Sequence, residues 1–436
     1  MHFLSSKILR AVAVLAFAFA VMLAARQTAT AQTETVLYTF SQADGYWPMA
    51  GLTMDKKDNL YGTTYSGGAN LSGTVFEVTA AGTETALYSF CSQLSDGLCL
   101  DGWAPTAGLI MDKKGNLYGT TNEGGTSQWN GIVFEVSPPA KKGGAWTEKT
   151  LYNFCSQTDC ADGGNPALAS LIMDTEGNLY GTTPFGGANV SYCAGQTCGT
   201  VFKLTPQGQY SVLYTFCSQT NCADGANPYA TLIMDSEGNF YGTTFHGGVV
   251  QANCSYGCGY GTVFKLTPQG QETVLYSFCS QTNCADGAEP EAGLIMDKEG
   301  NLYGTTTYGG ANGYGTVFEL TPGGEETVLF TFNSGAGANP FGGLVMDKDE
   351  NLYGATAYGG ANGVGTVFVV FKGPFGEGEQ FYSFGSLTDC ADGSTPYSAL
   401  IMDKKGNLYG TTRYGGANWG TYGCSEGGGT VFKVTP

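Results

Sequence analysis

Histidine is almost absent from this sequence. Of its two histidines, His2 lies in the N-terminal leader, so only His246 remains in the body of the chain. A Ser-His-Asp triad and a histidine-based metal site both need histidine with several placed partners. His246 occupies a loop position that elsewhere carries Tyr or Phe, and we interpret it as a varied aromatic position. We therefore expect neither type of site.

Positive charge is also scarce. Charged residues make up 13% of the chain, about half the usual share of roughly 25%. Removing residues 1–31 takes away three of the 19 basic residues and none of the 37 acidic ones, which leaves a net charge of −21. Arg413 is then the only arginine. Such a chain would repel the phosphates of nucleic acids and the surface of anionic membranes, so we expect neither as a partner.

Long apolar runs are missing, except for one near the N-terminus. Lys7 and Arg10 precede an apolar stretch at 11–25, and the small residues 29–31 follow it. This order predicts a secretory signal peptide over 1–31. The alternative is a membrane anchor, but about fifteen apolar residues is short for a span. No cysteine follows the run to carry a lipid, so we expect a secreted or periplasmic protein without a membrane attachment.

Glycine and aromatic residues are abundant, with 68 glycines and 13% aromatics. Seven segments share one order of short β-rich runs, and a methionine marks each of them: Met54, Met111, Met173, Met234, Met296, Met346 and Met402. Each unit holds four such runs, which is the content of one propeller blade. We therefore predict an all-β fold, a seven-bladed β-propeller formed by residues 32–436 as a single domain.

The first and last runs predict how the ring closes. The mature chain begins with a lone outermost strand over Thr35–Phe40 and ends with three strands of the last blade. We expect the N-terminal strand to pair beside Gly429–Val434, since closure removes exposed sheet edges. In this arrangement the interblade loops, which precede each innermost strand, and the middle loops, between the second and third strands, are long and lie on one face. Binding sites are usually found on such loops.

Recurrent motifs carry a resemblance to a known family. Asn-Leu-Tyr-Gly-Thr-Thr, Tyr-Gly-Gly-Ala-Asn, Gly-Thr-Val-Phe and Leu-Thr-Pro recur through the chain. These motifs resemble the GloVer tandem repeat of exported bacterial proteins, and the resemblance covers nearly all of the mature chain. Members of that family have various C-terminal anchors. No such anchor follows the last repeat here, so secretion in free form is the expectation. The resemblance implies no catalytic residues.

All fourteen cysteines follow the leader, which favours disulfides over thiol or metal chemistry in an exported protein. Cys390 lacks a local partner because Gly385 replaces the first cysteine of its loop, and Cys424 also stands alone. We predict that these two form a bridge. Crossed pairs such as Cys222–Cys254 remain open. The other twelve are predicted to pair locally: Cys91/Cys99, Cys155/Cys160, Cys193/Cys198, Cys217/Cys222, Cys254/Cys258 and Cys279/Cys284.

A recurrent aspartate is the only candidate for cation binding. An Asp-Gly pair stands in six interblade loops, and repeat six has Ala336-Gly337 instead. The six aspartates are Asp44, Asp101, Asp162, Asp224, Asp286 and Asp392. Ca²⁺ needs six to eight oxygens, whereas each loop offers one carboxylate. We interpret the aspartates as turn residues and expect no cofactor, with Ca²⁺ as the open alternative.

Residues that break the repeat indicate a binding sector. Four tryptophans fall in long loops of blades 7, 1 and 2, and Trp146 lies in an insertion on the other face. Tryptophan faces stack on sugar rings, and arginine or glutamate can orient hydroxyls. The alternative is that these tryptophans only cap loops. The predicted ligand-binding residues are Trp47, Trp103, Trp129, Arg413, Tyr414 and Trp419.

The leading functional hypothesis is an extracellular recognition module for a carbohydrate or another polar polymer, acting as a monomer. The second is a propeller-fold polysaccharide hydrolase or lyase, for which Glu123 and Glu426 would be the catalytic carboxylates. The third is a structural scaffold or envelope protein. In a binding protein, aromatic residues that depart from the repeat pattern should lie close together. In an enzyme, carboxylates that depart from the pattern should do so, and in a scaffold neither should. We favour the non-enzymatic hypotheses.

Overall fold

Each repeat folds into one four-stranded antiparallel sheet, and seven such sheets form a β-propeller. The structure is a computed structural model that describes residues 33–141, 143–187, 198–248, 259–373, 378–417 and 424–435. Within these ranges there is no helix with the length and hydropathy needed to cross a membrane. The predicted fold class is confirmed.

The strands take four positions in each blade, from the channel outwards. The innermost strands are Thr53–Met54, Ile110–Met111, Ile172–Met173, Ile233–Met234, Ile295–Met296, Val345–Met346 and Ile401–Met402. The second strands are Leu60–Thr64, Leu117–Thr121, Leu179–Thr183, Phe240–Thr244, Leu302–Thr306, Leu352–Thr356 and Leu408–Thr412. The third strands are Thr74–Val78, Ile132–Ser137, Thr200–Leu204, Thr262–Leu266, Thr316–Leu320, Thr366–Val370 and Thr430–Thr435. The outermost strands are Thr33–Thr39, Glu84–Ser89, Thr147–Asn153, Tyr210–Thr215, Glu272–Ser277, Glu326–Thr331 and Gly378–Ser383.

Short elements complete the interblade loops. A two-stranded hairpin over Leu94–Ser95 and Leu98–Cys99 lies between blades 1 and 2. Single 3₁₀ turns stand in four other interblade loops, at Thr158–Cys160, Thr220–Cys222, Thr282–Cys284 and Thr388–Cys390.

The N-terminal strand closes the ring. Thr33–Thr39 pairs antiparallel with Thr430–Thr435, from Thr33 opposite Thr435 to Thr39 opposite Thr430. The Phe40 N–H then donates to Gly429 O at 3.0 Å. The predicted closure is confirmed, and the strand begins two residues earlier than the pattern of apolar residues indicated. It begins earlier because the polar residues Thr33 and Glu34 still pair through their backbones, with Thr435 and Val434.

The glycine of the Leu-Tyr-Gly-Thr-Thr motif is required by packing inside each blade. A Cβ at this glycine would lie 2.5 to 2.8 Å from the Cζ atom of the third-strand phenylalanine in all seven blades, as at Gly62 beside Phe76. Only a residue without a side chain leaves room for that ring. The glycine of the Leu-Tyr-Gly-Thr-Thr motif is therefore required by the phenylalanine of the Gly-Thr-Val-Phe motif.

Phenylalanines also join each blade to the next. The phenylalanine that follows each outermost strand packs edge-to-face on the third-strand phenylalanine of the following blade, with ring centroids 4.9 to 5.2 Å apart. Phe40 and Phe76 form the pair that joins blade 7 to blade 1, and both are fully buried. The hydrophobic core thus consists of seven layers between blades, which explains why the strands are apolar on both faces.

A buried threonine adds a hydrogen bond at six of the seven junctions. In the second strand, the first threonine of the Thr-Thr pair donates to a carbonyl of the next blade, as Thr243 does to Ala292 O at 3.1 Å. Thr411 closes the circle by donating to Ala50 O, also at 3.1 Å. Blade 6 has Ala355 at this position, so its junction with blade 7 lacks the bond.

The recurrent interblade aspartate has a structural role. Asp224 accepts bonds from the Tyr214 hydroxyl at 2.7 Å and from the N–H and hydroxyl of Ser218, both at 2.8 Å. The Gln219 N–H donates to its other oxygen at 3.2 Å. Both carboxylate oxygens thus have donors from their own loop, which supports the interpretation of these aspartates as turn residues.

Five glutamates near the start of outermost strands lie beside these aspartates, and we call them the interblade glutamates. They are Glu34, Glu84, Glu148, Glu272 and Glu326. Partial burial and the nearby aspartate raise the pKa of Glu34 to about 8. The pKa of each of the other four is raised to about 7, mainly by burial. These side chains are therefore largely protonated below neutral pH.

Disulfides tie the long loops. The structure contains Cys91–Cys99, Cys155–Cys160, Cys217–Cys222, Cys279–Cys284 and Cys390–Cys424. Because Cys222 pairs with Cys217, the crossed pair Cys222–Cys254 is not formed. Cys198 is also disulfide-bonded, whereas Cys193, Cys254 and Cys258 lie outside the described residues. Several disulfides indicate an oxidising compartment, either extracellular or periplasmic.

Candidate functional site

The two kinds of long loop lie together on one face of the ring, as predicted. In every blade a residue of the interblade loop forms an antiparallel bridge with a residue of the middle loop, for example Trp103 with Glu123 and Ser394 with Tyr414. These bridges hold the loops against each other beside the channel. We call this side the long-loop face.

A strained residue before the interblade proline anchors each of these loops. The seven residues have φ between 49° and 59° and are Trp47, Ala104, Asn165, Asn227, Glu289, Asn339 and Thr395. Left-handed backbone costs energy for residues other than glycine, and a following proline restricts the residue further. Two backbone bonds hold Glu289 in place, from its N–H to Tyr260 O at 2.7 Å and from the Thr307 N–H to its carbonyl at 3.2 Å. The side chains at this position therefore project from a rigid support.

Arg413 forms the centre of an aromatic cluster between blades 7 and 1, which we call the arginine cluster. Its guanidinium carbon lies 5.4 Å from the ring centre of Trp47 and 4.9 Å from that of Tyr414. The Trp47 ring also lies 4.7 Å from Tyr46 and 6.0 Å from Tyr65. Three of the sequence-predicted binding residues and parts of two adjacent blades are thus brought together.

The Arg413 side chain has unused hydrogen-bonding capacity. It forms no ion pair with another residue in the described ranges. Its buried Nε–H has no hydrogen-bond partner there. A guanidinium that stacks on aromatic rings without an acidic partner keeps donors for a ligand.

A second pair of tryptophans lies in blade 2. The rings of Trp103 and Trp129 are 6.3 Å apart, and Trp129 is 58% exposed. The Trp103 Nε1–H donates to Gln128 O at 3.4 Å. Glu123 is bridged to Trp103 through its backbone, and burial raises the pKa of the Glu123 carboxyl. This tryptophan pair is on the blade next to the arginine cluster.

Two other sequence-predicted residues are less informative. Trp419 lies outside the described residues. Glu426 is exposed in the middle loop of blade 7, where its carbonyl accepts the Gly415 N–H at 2.8 Å. Within the described structure no contact links Glu426 to Glu123 of blade 2. The His246 Nδ1–H donates to Asn227 Oδ1 at 3.2 Å, and burial lowers the pKa of its imidazole.

The central channel contains a cavity of about 260 Å³. Small residues of the seven blades crowd together along its wall. A Cβ at Gly108 would lie 2.6 Å from Ser170 Oγ and 3.0 Å from Gly51 O, and the Ser170 N–H donates to Thr231 Oγ1 at 2.8 Å. These contacts bring the innermost strands of neighbouring blades close together around the channel.

The mouth of this channel is lined by the residues that follow the interblade prolines. Tyr229, Glu291, Phe341 and Tyr397 stand at this position and border the cavity. Phe341 stacks on Tyr397 with ring centroids 4.4 Å apart and planes at 8°. We call this set, together with the neighbouring Glu289, Tyr308 and Tyr358, the channel mouth.

The channel mouth has two carboxyls that the sequence analysis missed. Glu289 and Glu291 flank Pro290, and neither forms an ion pair within the described ranges. Burial, with a smaller effect of Glu289, raises the pKa of Glu291 to about 7. Burial also raises the pKa of Glu289. Aligning the seven repeats on their interblade prolines would have shown that acidic residues stand at these two positions only in repeat five.

Comparison with known proteins identifies related sequences and folds. The family model described as the Gloeobacter/Verrucomicrobia repeat matches residues 23–194, 93–282 and 169–423. No curated protein matches the chain.

Among solved structures, similar folds include a gluconolactonase from Xanthomonas campestris, with 12% identity over 93% of this chain and 90% of that one and a TM-score of 0.43. A luciferin-regenerating enzyme is 12% identical over 93% of this chain and 95% of its own, with a TM-score of 0.44. The PQQ-bound aldose sugar dehydrogenase from Streptomyces coelicolor is 12% identical over 92% and 98%, with a TM-score of 0.41.

Proposed function

The chain belongs to the Gloeobacter/Verrucomicrobia repeat family, and we propose that this member is an exported propeller that binds a carbohydrate on its long-loop face. The arginine cluster is the observation that carries the proposal. Its aromatic rings offer flat apolar faces, and Arg413 offers donors beside them. Sugar rings present apolar C–H faces to aromatic side chains and hydroxyls to polar groups, so this combination suits them.

The charge of the chain restricts the class of glycan. With a net charge of −21 after removal of residues 1–31, the protein would repel a polymer rich in carboxylate or sulfate groups. A neutral or amino-substituted glycan would avoid this repulsion. The proposed ligand is therefore a glycan without acidic groups.

Binding of soluble oligosaccharides tests the proposal. Neutral oligosaccharides should change the tryptophan fluorescence of the mature protein, because Trp47 lies in the arginine cluster. Arg413→Gln should weaken binding by at least about tenfold, the effect of losing one charge-assisted hydrogen bond of about 1.5–3 kcal/mol. Lys405→Gln, which removes a cation from the opposite face, is the matched control and should bind as the wild type does. Equal affinities of the two variants would contradict the proposed site.

A hydrolase is the second candidate function, and the channel mouth favours it over the scaffold hypothesis. Glu291 has a pKa of about 7 and stands two residues from a second carboxyl. A glycosidase needs one protonated and one ionised carboxyl on either side of the bond that is cleaved. In this case the catalytic pair would be Glu289 and Glu291, instead of Glu123 and Glu426.

Release of reducing ends from a panel of neutral polysaccharides tests this alternative. A hydrolase would show turnover that Glu291→Gln abolishes, while binding measured by fluorescence persists. Turnover that is unchanged in Glu291→Gln would exclude Glu291 as its catalytic acid. Binding without turnover in the wild type would favour the recognition module.

A further inference from the structure

The channel mouth combines two carboxyls with aromatic walls. Glu291 lines the cavity together with the aromatic residues Tyr229, Phe341 and Tyr397. Tyr308 and Tyr358 stand at the rim and are 43% and 48% exposed. Aromatic faces and a carboxylate are the two features that attract an organic cation.

The two carboxyls of the mouth lack a compensating charge. The structure places no lysine or arginine in an ion pair with Glu289 or Glu291 in the part of the chain that it describes. Arg413 lies on the blade 7 side of the mouth, close enough to Tyr397 to offset part of the rise that burial causes in the pKa of that tyrosine. Its guanidinium stacks on Trp47. A partly buried carboxyl without a partner is disfavoured as an anion, so a cationic ligand would supply what this site lacks.

Other classes of ligand fit the mouth less well. A divalent metal ion prefers six or more oxygen ligands, whereas the walls are mostly aromatic. A uronic acid would place its carboxylate near two glutamates. A protonated amine, by contrast, can approach Glu291 while its carbon skeleton contacts Phe341 and Tyr397.

We infer that the channel mouth binds the protonated amine of an amino sugar, held by Glu291 and the surrounding rings. This inference rests on the proposed glycan-binding function and names its ligand class. The amine lies at Glu291, and further sugar units extend over the long-loop face towards Arg413. Because the amine stabilises the ionised carboxyl, binding drives Glu291 to lose its proton.

The titratable and charged groups that face Glu291 from the neighbouring elements determine how binding of the amine depends on pH. They are Glu289, Tyr229, Tyr308, Tyr358 and Tyr397, with Arg413 beyond Tyr397. Burial raises the pKa values of Tyr229, Tyr308 and Tyr397, so these rings stay neutral at pH 6. At that pH, most of Glu291 in the free protein is protonated, since its pKa is about 7. Proton release on binding should therefore come from Glu291.

Calorimetric titration with two oligosaccharides of equal length tests the inference. One is a β-1,4-linked glucosamine tetramer and the other is its fully N-acetylated form, which has no amine. At pH 6 and 0.15 M salt, the wild type should bind the amine form at least tenfold more tightly. Titration in two buffers of different ionisation enthalpy should show a net release of protons for the amine form only.

Two variants separate a specific site from general attraction to an acidic protein. Glu291→Gln should bind the two tetramers with equal affinity and should show no proton release on binding either of them. Glu299→Gln removes the same charge from an exposed turn on the opposite face and should retain both properties. Equal affinities of the wild type for the two tetramers, or a preference that persists in Glu291→Gln, would overturn the inference.

The failure of this inference can be distinguished from that of the proposed function. If neutral oligosaccharides bind in a manner that depends on Arg413 but the amine form gains nothing, the inference is wrong and the glycan-binding proposal stands. If no oligosaccharide of either kind binds to the wild type, both are overturned.

Discussion

Replacement of Phe40 by alanine tests the closure of the ring. Phe40 is fully buried and packs edge-to-face on Phe76 at 4.9 Å and on Tyr38 at 5.1 Å. Burial of a phenylalanine contributes about 1.5–3 kcal/mol, and each aromatic pair adds roughly 0.5–1.5 kcal/mol. Phe40→Ala should therefore lower the free energy of unfolding by about 3–5 kcal/mol, the usual range for this substitution in a core.

Phe278→Ala is the matched control inside the ring. Phe278 is 1% exposed and packs on Phe318 at 5.0 Å and on Tyr276 at 5.3 Å, so the local loss should be similar. The two sites differ in chain connectivity, since Thr33–Thr39 is held to its blade only by pairing with Thr430–Thr435 and by packing. Loss of Phe40 should let this strand open separately, whereas loss of Phe278 should weaken the fold as a whole.

Urea unfolding and hydrogen exchange measure these two effects. Both variants should unfold at lower urea than the wild type. In Phe40→Ala the amides of 33–39 should exchange faster by roughly 10²–10⁴-fold, which corresponds to about 3–5 kcal/mol at 1.4 kcal/mol per factor of ten. A loss of stability below about 1 kcal/mol in Phe40→Ala would refute the reasoning. Equal protection of residues 33–39 in the two variants would show that the closing strand does not open separately.

Three further predictions concern stability. The interblade glutamates have raised pKa values, so the stabilisation that their protonated forms give the fold is complete below about pH 4.5 and is lost as the pH rises through about 7 to 8. The melting temperature should therefore fall between pH 5 and pH 8.5, and Glu84→Gln should reduce this dependence on pH. An unchanged pH dependence in Glu84→Gln would contradict the prediction. Ala355→Thr should supply the missing interblade hydrogen bond and raise the free energy of unfolding by about 1 kcal/mol, while Thr243→Val should lower it by about 1–2 kcal/mol; chemical denaturation measures both, and a destabilised Ala355→Thr would show that blade 6 lacks room for the hydroxyl. Replacement of Cys390 and Cys424 by serine should lower stability by up to about 3–4 kcal/mol, because the bridge closes a loop of 34 residues; non-reducing peptide mapping that finds either thiol free in the wild type would refute the bridge.

Much of the fold could be predicted from the sequence because each blade is specified locally. The spacing of the seven methionines and the four β-rich runs in each repeat predict the number of blades and strands. The lone N-terminal strand and the incomplete last repeat predict closure. The Cys390–Cys424 bridge could be predicted because neither cysteine has a local partner and both lie in loops on the same face of the ring.

The candidate site was predicted only in part. Arg413, Trp47 and Tyr414 were expected in one sector and lie in contact. Glu289 and Glu291 were missed because they are close to the interblade proline, in a loop that looked like a connection. Attention to tryptophan favoured blades 7, 1 and 2, whereas these carboxyls come from blade 5.

Only the tertiary structure decided which residues that break the repeat meet at the channel. Equivalent positions of successive repeats are about 50 to 60 residues apart in the sequence, and their spacing shows only that they lie at the same height and radius around one axis. Whether their side chains touch depends on the radius of the ring and on the direction in which the loop backbone turns. Here the left-handed residue before each interblade proline sets that direction, and the residue after the proline borders the cavity in blade 1 and in blades 4 to 7. The sequence by itself thus determined the blades and their order, because strand pairing and packing are local to each repeat and its neighbours. The chemistry of the channel mouth was decided by the assembled ring, because Glu291, Phe341 and Tyr397 come from three different blades whose interblade loops converge around the axis.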